Sequence, residues 1–183
     1  MTIRQATIHD VEALLSLQNK YHVSKLTEEE KQQKGFVTMW VTPEQFTFMA
    51  ERGNVFVAIA DDNSLAAYAL TSDWQYYENW AITVRMAEFL PNFQYEGVQL
   101  TKENSFHYGP VCIDEAYRGK DILTQFFVAI REVYKGQYDY IITLINYINE
   151  RSLRAHAKKT PLSIVGDFEF NNNNYAALAC RTQ

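Results

Sequence analysis

The stretch 106–145 constrains this chain more than any other. Residues 106–113, Phe-His-Tyr-Gly-Pro-Val-Cys-Ile, read as a strand. A tight turn holding Arg118, Gly119 and Lys120 follows. Residues 119–134 then place Ile122, Leu123, Phe126, Phe127 and Ile130 on one helical face, and Gly136 supplies a stop. Residues 138–145 are almost continuously apolar, which fits a strand buried on both faces. Strand, helix and buried strand in this order point to an α/β sandwich with a mixed sheet.

The rest of the chain extends that sheet. Residues 2–6 read as a short strand, and Thr7 with Asp10 as a capping box for a helix running to about Lys20. The polar stretch 24–35 reads as a short helix or a loop. Thr42-Pro43-Glu44 starts a further helix that Gly53 closes. Residues 54–60 and 65–71 form a hairpin across the turn 61–64. A helix is expected over 74–89 and a loop over 92–104. After the strand at 138–145 come a helix over 149–159 and a hairpin, 162–170 with 175–181. The run of asparagines at 171–174 tolerates the left-handed backbone that its turn needs. No internal repeat and no linker divides the 183 residues, so one domain is expected over 1–183.

Composition enters as a filter. A net charge of −5 argues against nonspecific nucleic-acid binding. Lys and Arg number 7 against 13 Asp and Glu in 1–96, but 10 against 9 in 97–183. The second half is therefore the better host for an anionic ligand. Cys112 and Cys180 sit in apolar runs and read as small buried hydrophobes, and without clustered histidines they make no metal site. No apolar run is long enough to span a membrane and no leader is visible, so a cytoplasmic, reduced protein is the default expectation.

The chemistry concentrates where the strand at 106–113 turns into the next helix. First-turn amides lack partners within the helix and carry the positive end of its dipole, a seat for phosphate. Gly119 permits close approach, and Arg118 and Lys120 add charge. The same residues equally read as an ordinary strand, basic turn and helix. The phrase Val-Cys-Ile-Asp-Glu-Ala-Tyr-Arg-Gly-Lys at 111–120 resembles the coenzyme A motif of the GNAT acetyltransferase superfamily, whose pattern is Arg/Gln-x-x-Gly-x-Gly/Ala. Arg118 matches it, while Asp121 and Leu123 replace its two small residues. Residues 149–158 are similar to that family's Asn-x-x-Ala/Ser-x-x-x-Tyr/His-x-Lys helix, with Asn149, Ser152 and His156 at the matching places.

The resemblance implies a GNAT-like fold over nearly the whole chain: a mixed, mostly antiparallel central sheet, helices on both faces and a C-terminal hairpin. It implies an acetyl-CoA-dependent N-acetyltransferase that uses no metal. The amides of Val111, Cys112 and Ile113 would meet pantetheine, at a strand irregularity for which Gly109-Pro110 is suited. Arg118, Gly119, Lys120, Asp121, Ile122 and Leu123 would meet pyrophosphate. Asp121 would set a carboxylate there, and Leu123 would crowd the approach. Asn149 and Ser152 would lie along the arm. His156 would protonate the departing thiolate. His107 stands near where some relatives place a base, with Glu103 and Tyr108 as substitutes. The acceptor would be a small-molecule amine or a peptide or protein amine, and a homodimer is allowed. The aromatic stretch from Trp74 to Tyr95 reads as a wall of the acceptor pocket, a cover for the sheet or a dimer surface. A non-catalytic acyl-CoA-sensing module of the same fold is the alternative.

Overall fold

The computed structural model describes every residue from Met1 to Gln183. The chain divides into two compact units, Met1–Leu70 with Pro110–Ile130, and Thr71–Gly109 with Arg131–Gln183.

The first unit begins with β1 (Thr2–Gln5), α1 (Val11–Tyr21), α2 (Glu28–Lys34), α3 (Pro43–Glu51), β2 (Val55–Ile59) and β3 (Leu65–Ser72). Capping boxes explain where its helical segments start. The Thr7 amide donates to Asp10 Oδ2 at 2.7 Å, the Thr27 amide to Glu30 at 3.0 Å, and the Thr42 amide to Gln45 Oε1 at 2.9 Å. Pro43 opens α3, where a missing amide hydrogen costs nothing. β1 and β2, and β2 and β3, pair antiparallel. Leu14, Phe46, Met49, Val55, Val57 and Tyr68 are buried, the Phe46 and Tyr68 rings edge to face at 5.8 Å. Each such side chain contributes about 1.5–3 kcal/mol on burial. Gln18, fully buried on α1, donates to the Val41 carbonyl and accepts from the Val41 amide, both at 2.9 Å. That pair satisfies a backbone stretch that has no strand partner.

The later elements are α4 (Ala81–Phe89), β4 (Gln94–Tyr95), β5 (Val98–Gln99), β6 (Ser105–Ile113), α5 (Ile122–Tyr134), β7 (Tyr140–Asn146), α6 (Glu150–Lys159), β8 (Ser163–Phe170) and β9 (Asn173–Arg181). The strand order is β1-β2-β3-β6-β7-β9-β8, with β4 and β5 as a separate hairpin. β6 and β7 run parallel, whereas β7 with β9 and β8 with β9 run antiparallel. The expected mixed, mostly antiparallel sheet and its C-terminal hairpin are therefore present. Asn171 and Asn172 take φ of 48° and 57° at its turn, the left-handed use expected of that run. In the second unit Trp74, Met86, Leu90, Phe93, Ile142 and Phe168 share one core.

Two expected elements differ. Residues 74–89 do not form one helix. Trp80 is extended (φ −124°, ψ 122°) between a 3-10 turn, Tyr76–Asn79, and α4. The Thr83 hydroxyl donates to the Tyr77 and Trp80 carbonyls, at 2.5 and 2.8 Å, beside the backbone amides that those carbonyls also accept. Residues 92–104 are not all loop, because β4 and β5 pair there across Glu96 and Gly97, with φ of 50° and 80°. Glutamate is a poor marker for a left-handed turn position, so the sequence hides this hairpin.

Candidate functional site

In the first unit, β6 passes through a short turn into α5. The turn is held from α1. Tyr21 Oη accepts the Glu115 amide at 2.8 Å, and Lys20 reaches Asp114 at 2.9 Å. Burial opposes ionisation of Asp114, yet the Ala116 amide and Lys20 hold its carboxyl below the usual range. Arg118 is tethered too. Its Nη2 donates to the Lys34 carbonyl at 2.6 Å and its Nε to the Ile113 carbonyl at 3.3 Å, and its guanidinium lies 5.2 Å from the centre of the Tyr21 ring. Arg118, expected as a phosphate ligand, ties the turn to the C-terminal end of α2. Lys120 lies 5.0 Å from the Tyr117 ring centre.

The backbone then turns left-handed twice. Gly119 has φ +80°, and a Cβ there would meet nothing within 4 Å. Asp121 has φ +60°, a left-handed conformation that Asp tolerates better than most residues. The position where the resembling family places glycine thus keeps glycine-like geometry. The helix begins at Ile122, three residues after the expected start, because Gly119 and Asp121 both break the helical backbone. Asp121 Oδ1 accepts the Thr124 hydroxyl at 2.9 Å and its carbonyl accepts the Gln125 amide at 3.2 Å. Leu123, expected to crowd the approach, is buried, as is Ile122. Upstream, Val111 and Ile113 are part-exposed, while Cys112 is buried and its thiol pKa is pushed up by burial. Such a thiol is inert as a nucleophile.

In the second unit, the pairing of β6 with β7 runs from Ser105 to His107, opposite Tyr140 to Ile142, and stops there. Gly109 follows with φ +121°, and a Cβ on it would lie 3.3 Å from Thr143 Oγ1. The Gly109 carbonyl accepts the Tyr77 hydroxyl at 2.6 Å. This is the irregularity expected at Gly109-Pro110. His107 is 2% exposed, edge-on to Tyr77 at 4.5 Å and to Trp74 at 5.6 Å, and neither ring nitrogen has a hydrogen-bond partner. Burial pushes its pKa down to about 3. The Gly109 backbone favours the proton only weakly and lies outside hydrogen-bond geometry. A group so hard to protonate is a poor general base at neutral pH. Of its substitutes, Glu103 is exposed in a turn with Thr101, and Tyr108 is buried with its phenol pKa raised by burial.

Asn149 caps α6, its side chain accepting the Ser152 amide at 3.4 Å. His156 is 5% exposed, and Nδ1 meets the Ser152 carbonyl at 2.9 Å. A carbonyl only accepts, so the proton sits on Nδ1 and Nε2 presents a lone pair. That Nε2 is buried without a partner. Burial lowers the His156 pKa, opposed by the Ser152 carbonyl. The resting ring is therefore neutral, with an acceptor where the resemblance implied an acid.

Sequence reasoning singled out the loop and both histidines but did not anticipate Tyr21, Lys20 and Lys34, whose partners lie some 80 or more residues away. The aromatic stretch from Trp74 splits at its start. Trp74 and Tyr77 are core residues, and Tyr76 and Trp80 alone of its four large aromatics are part-exposed.

No family model matches this chain, and no curated protein matches it in sequence. Solved structures do match. An acetyltransferase of the GNAT family from Streptococcus agalactiae is 13% identical, with 98% of this chain and 94% of that one covered and a TM-score of 0.68. A putative acetyltransferase from Salmonella typhimurium, solved with its cofactor acetyl-CoA, is 14% identical over 100% and 94% of the two chains, with a TM-score of 0.64. An N-acetyltransferase from Staphylococcus aureus is 16% identical over 100% and 98%, also at 0.64. At such identities the likeness establishes the fold.

Proposed function

We propose that this chain, which has the fold of the GNAT acetyltransferases, transfers an acetyl group from acetyl-CoA to a primary amine. The observation that carries the reading is the passage from β6 into α5: a part-exposed strand end, then Gly119 and Asp121 at positive φ, then a helix N-terminus. Backbone amides at Gly119, Lys120, Ile122 and Leu123 would hold the phosphates, since an amide does not depend on its own side chain. The amides of Val111, Cys112 and Ile113 would pair with the pantetheine arm, and one of them would face the thioester oxygen as negative charge develops there. Asn149 and Ser152, committed to capping α6 and to His156, would act on the arm only through that helix end.

In the transfer, nitrogen bonds to the acetyl carbon, the carbon–sulfur bond breaks, and the amine proton ends on sulfur. Neutral His156 suits both halves of that proton movement. Its Nε2 lone pair accepts the proton, and the imidazolium so formed is a stronger acid than ordinary histidine because burial disfavours it. His107 would supply no proton and serve as a neutral hydrogen-bonding group. The part-exposed Tyr76 and Trp80 favour an acceptor with an apolar or aromatic portion.

Titration calorimetry with acetyl-CoA, with ATP as control, tests the reading. Binding of acetyl-CoA alone is expected, and Gly119→Val should abolish most of it, because a β-branched residue resists φ +80°. Thiol release on adding amines then tests catalysis. Binding without release from any amine would favour the sensing role, which Asp121 and the lowered histidine pKa values also fit. No helix is long and apolar enough to cross a membrane.

A further inference from the structure

Two aromatic side chains from the segment before α4 reach β6 and hold it at two points. We propose that Tyr77 is a positioning residue for the donor: its hydroxyl fixes the Gly109 carbonyl where β6 parts from β7, and so keeps open the strand edge that a thioester's pantetheine arm would follow. The inference rests on the reading of β6 as the donor strand and deepens it.

The observations all lie in the second unit. Pairing of β6 with β7 ends at His107, opposite Ile142. Two residues later Gly109 takes φ +121°. Glycine permits that backbone but does not select it, so another group must. The Tyr77 hydroxyl donates to the Gly109 carbonyl at 2.6 Å, from a ring that is wholly buried. Burial raises its phenol pKa, so the group stays a donor at any ordinary pH. Tyr77 is itself held. Its carbonyl accepts the Thr83 hydroxyl at 2.5 Å and the Trp80 amide at 3.1 Å, and its ring lies edge-on to His107 at 4.5 Å. Trp74 makes the second attachment, its Nε1 donating to Ser105 Oγ at 3.0 Å. The two attachments differ in consequence. Ser105 stands where β6 is already paired with β7, opposite Tyr140, so the Trp74 contact adds stability and directs nothing. Gly109 stands beyond the end of that pairing, so the direction of its carbonyl depends on Tyr77. The stretch read as meeting the arm begins at Val111, two residues further on.

Calorimetry with acetyl-CoA and with S-acetylpantetheine on wild type, Tyr77→Phe and Trp74→Phe tests this, together with hydrogen exchange of the same proteins. Phenylalanine at 77 keeps a ring against His107 and removes the hydroxyl alone. Tyr77→Phe should weaken both thioesters by about fivefold, the worth of one ordinary hydrogen bond. It should also speed exchange of the Ser105–Gly109 amides by about the same factor and leave β9 unchanged. Trp74→Phe should lower the urea midpoint at least as far as Tyr77→Phe does and leave both affinities unchanged. That contrast separates positioning from general loss of stability. Unchanged thioester affinity in Tyr77→Phe, or an equal loss in Trp74→Phe, overturns the positioning role. If wild type takes neither thioester, faster exchange confined to Ser105–Gly109 in Tyr77→Phe keeps Tyr77 as the group that fixes β6 and removes the acetyl-donor reading. Unchanged exchange in that case removes both.

Discussion

The turn after β6 and the histidine region of the second unit make opposite use of polar groups. In the turn, Asp114, Arg118, Lys120 and Asp121 each have a partner or an aromatic face, and all are partly or fully exposed. Around His107 and His156, three buried ring nitrogens have none. A satisfied, wet side chain costs little and offers little. An unsatisfied, buried one costs stability and persists where it is needed for something other than stability. On the proposed function, recognition in the turn would be left to backbone, and chemistry in the second region to side chains.

The largest effect that would sharpen this contrast is kinetic. His156→Ala should lower turnover about 10²-fold, the low end for a positioned acid–base group, with the calorimetric affinity for acetyl-CoA unchanged. A loss of affinity at unchanged turnover would move His156 to the binding side and break the comparison. Next is the backbone irregularity between the two regions of β6. Gly109→Ala forces a Cβ into φ +121°, 3.3 Å from Thr143 Oγ1, and should cost about 2 kcal/mol in urea unfolding. A neutral result would mean that the strand relaxes freely there.

The third effect is a pH slope. His107 has a folded pKa of about 3, below its ordinary value, so its neutral form is favoured by folding. Stability is then full above about pH 6.5 and is lost as pH falls toward 3, because the unfolded chain takes the proton first. The contribution is about 1.4 kcal/mol per pH unit within that window. His107→Leu should flatten the acid limb of urea midpoints measured between pH 7 and pH 4. His22 and His156, whose pKa values are also lowered by burial, should keep part of it. An identical slope in wild type and variant would mean that His107 is hydrated. The smallest effect belongs to the turn. Tyr21→Phe removes the acceptor for the Glu115 amide and should cost about 1 kcal/mol, with a few-fold weaker acetyl-CoA binding.

Local rules made most of the fold legible. Capping threonines, Pro43, the asparagine turn and the apolar run in β7 each act through neighbours within a few residues, so order and type of element follow from the chain itself. The failures share that logic. The extended backbone at Trp80 is announced by no glycine or proline, and the β4–β5 turn uses a glutamate where an asparagine would have marked it.

By itself the sequence determined the strand, loop and helix that would seat a phosphate, because backbone shape there needs only Gly119 and a residue tolerant of left-handed geometry at 121. Tertiary structure decided what the side chains are free to do. Arg118 meets a carbonyl 84 residues away, and the Glu115 amide meets a phenol 94 residues away. Burial of these two polar side chains, which their neighbours in sequence do not mark, holds the pKa values of His107 and His156 down. Charge and hydrogen-bonding capacity depend on what arrives in space, and only the folded chain brings it there.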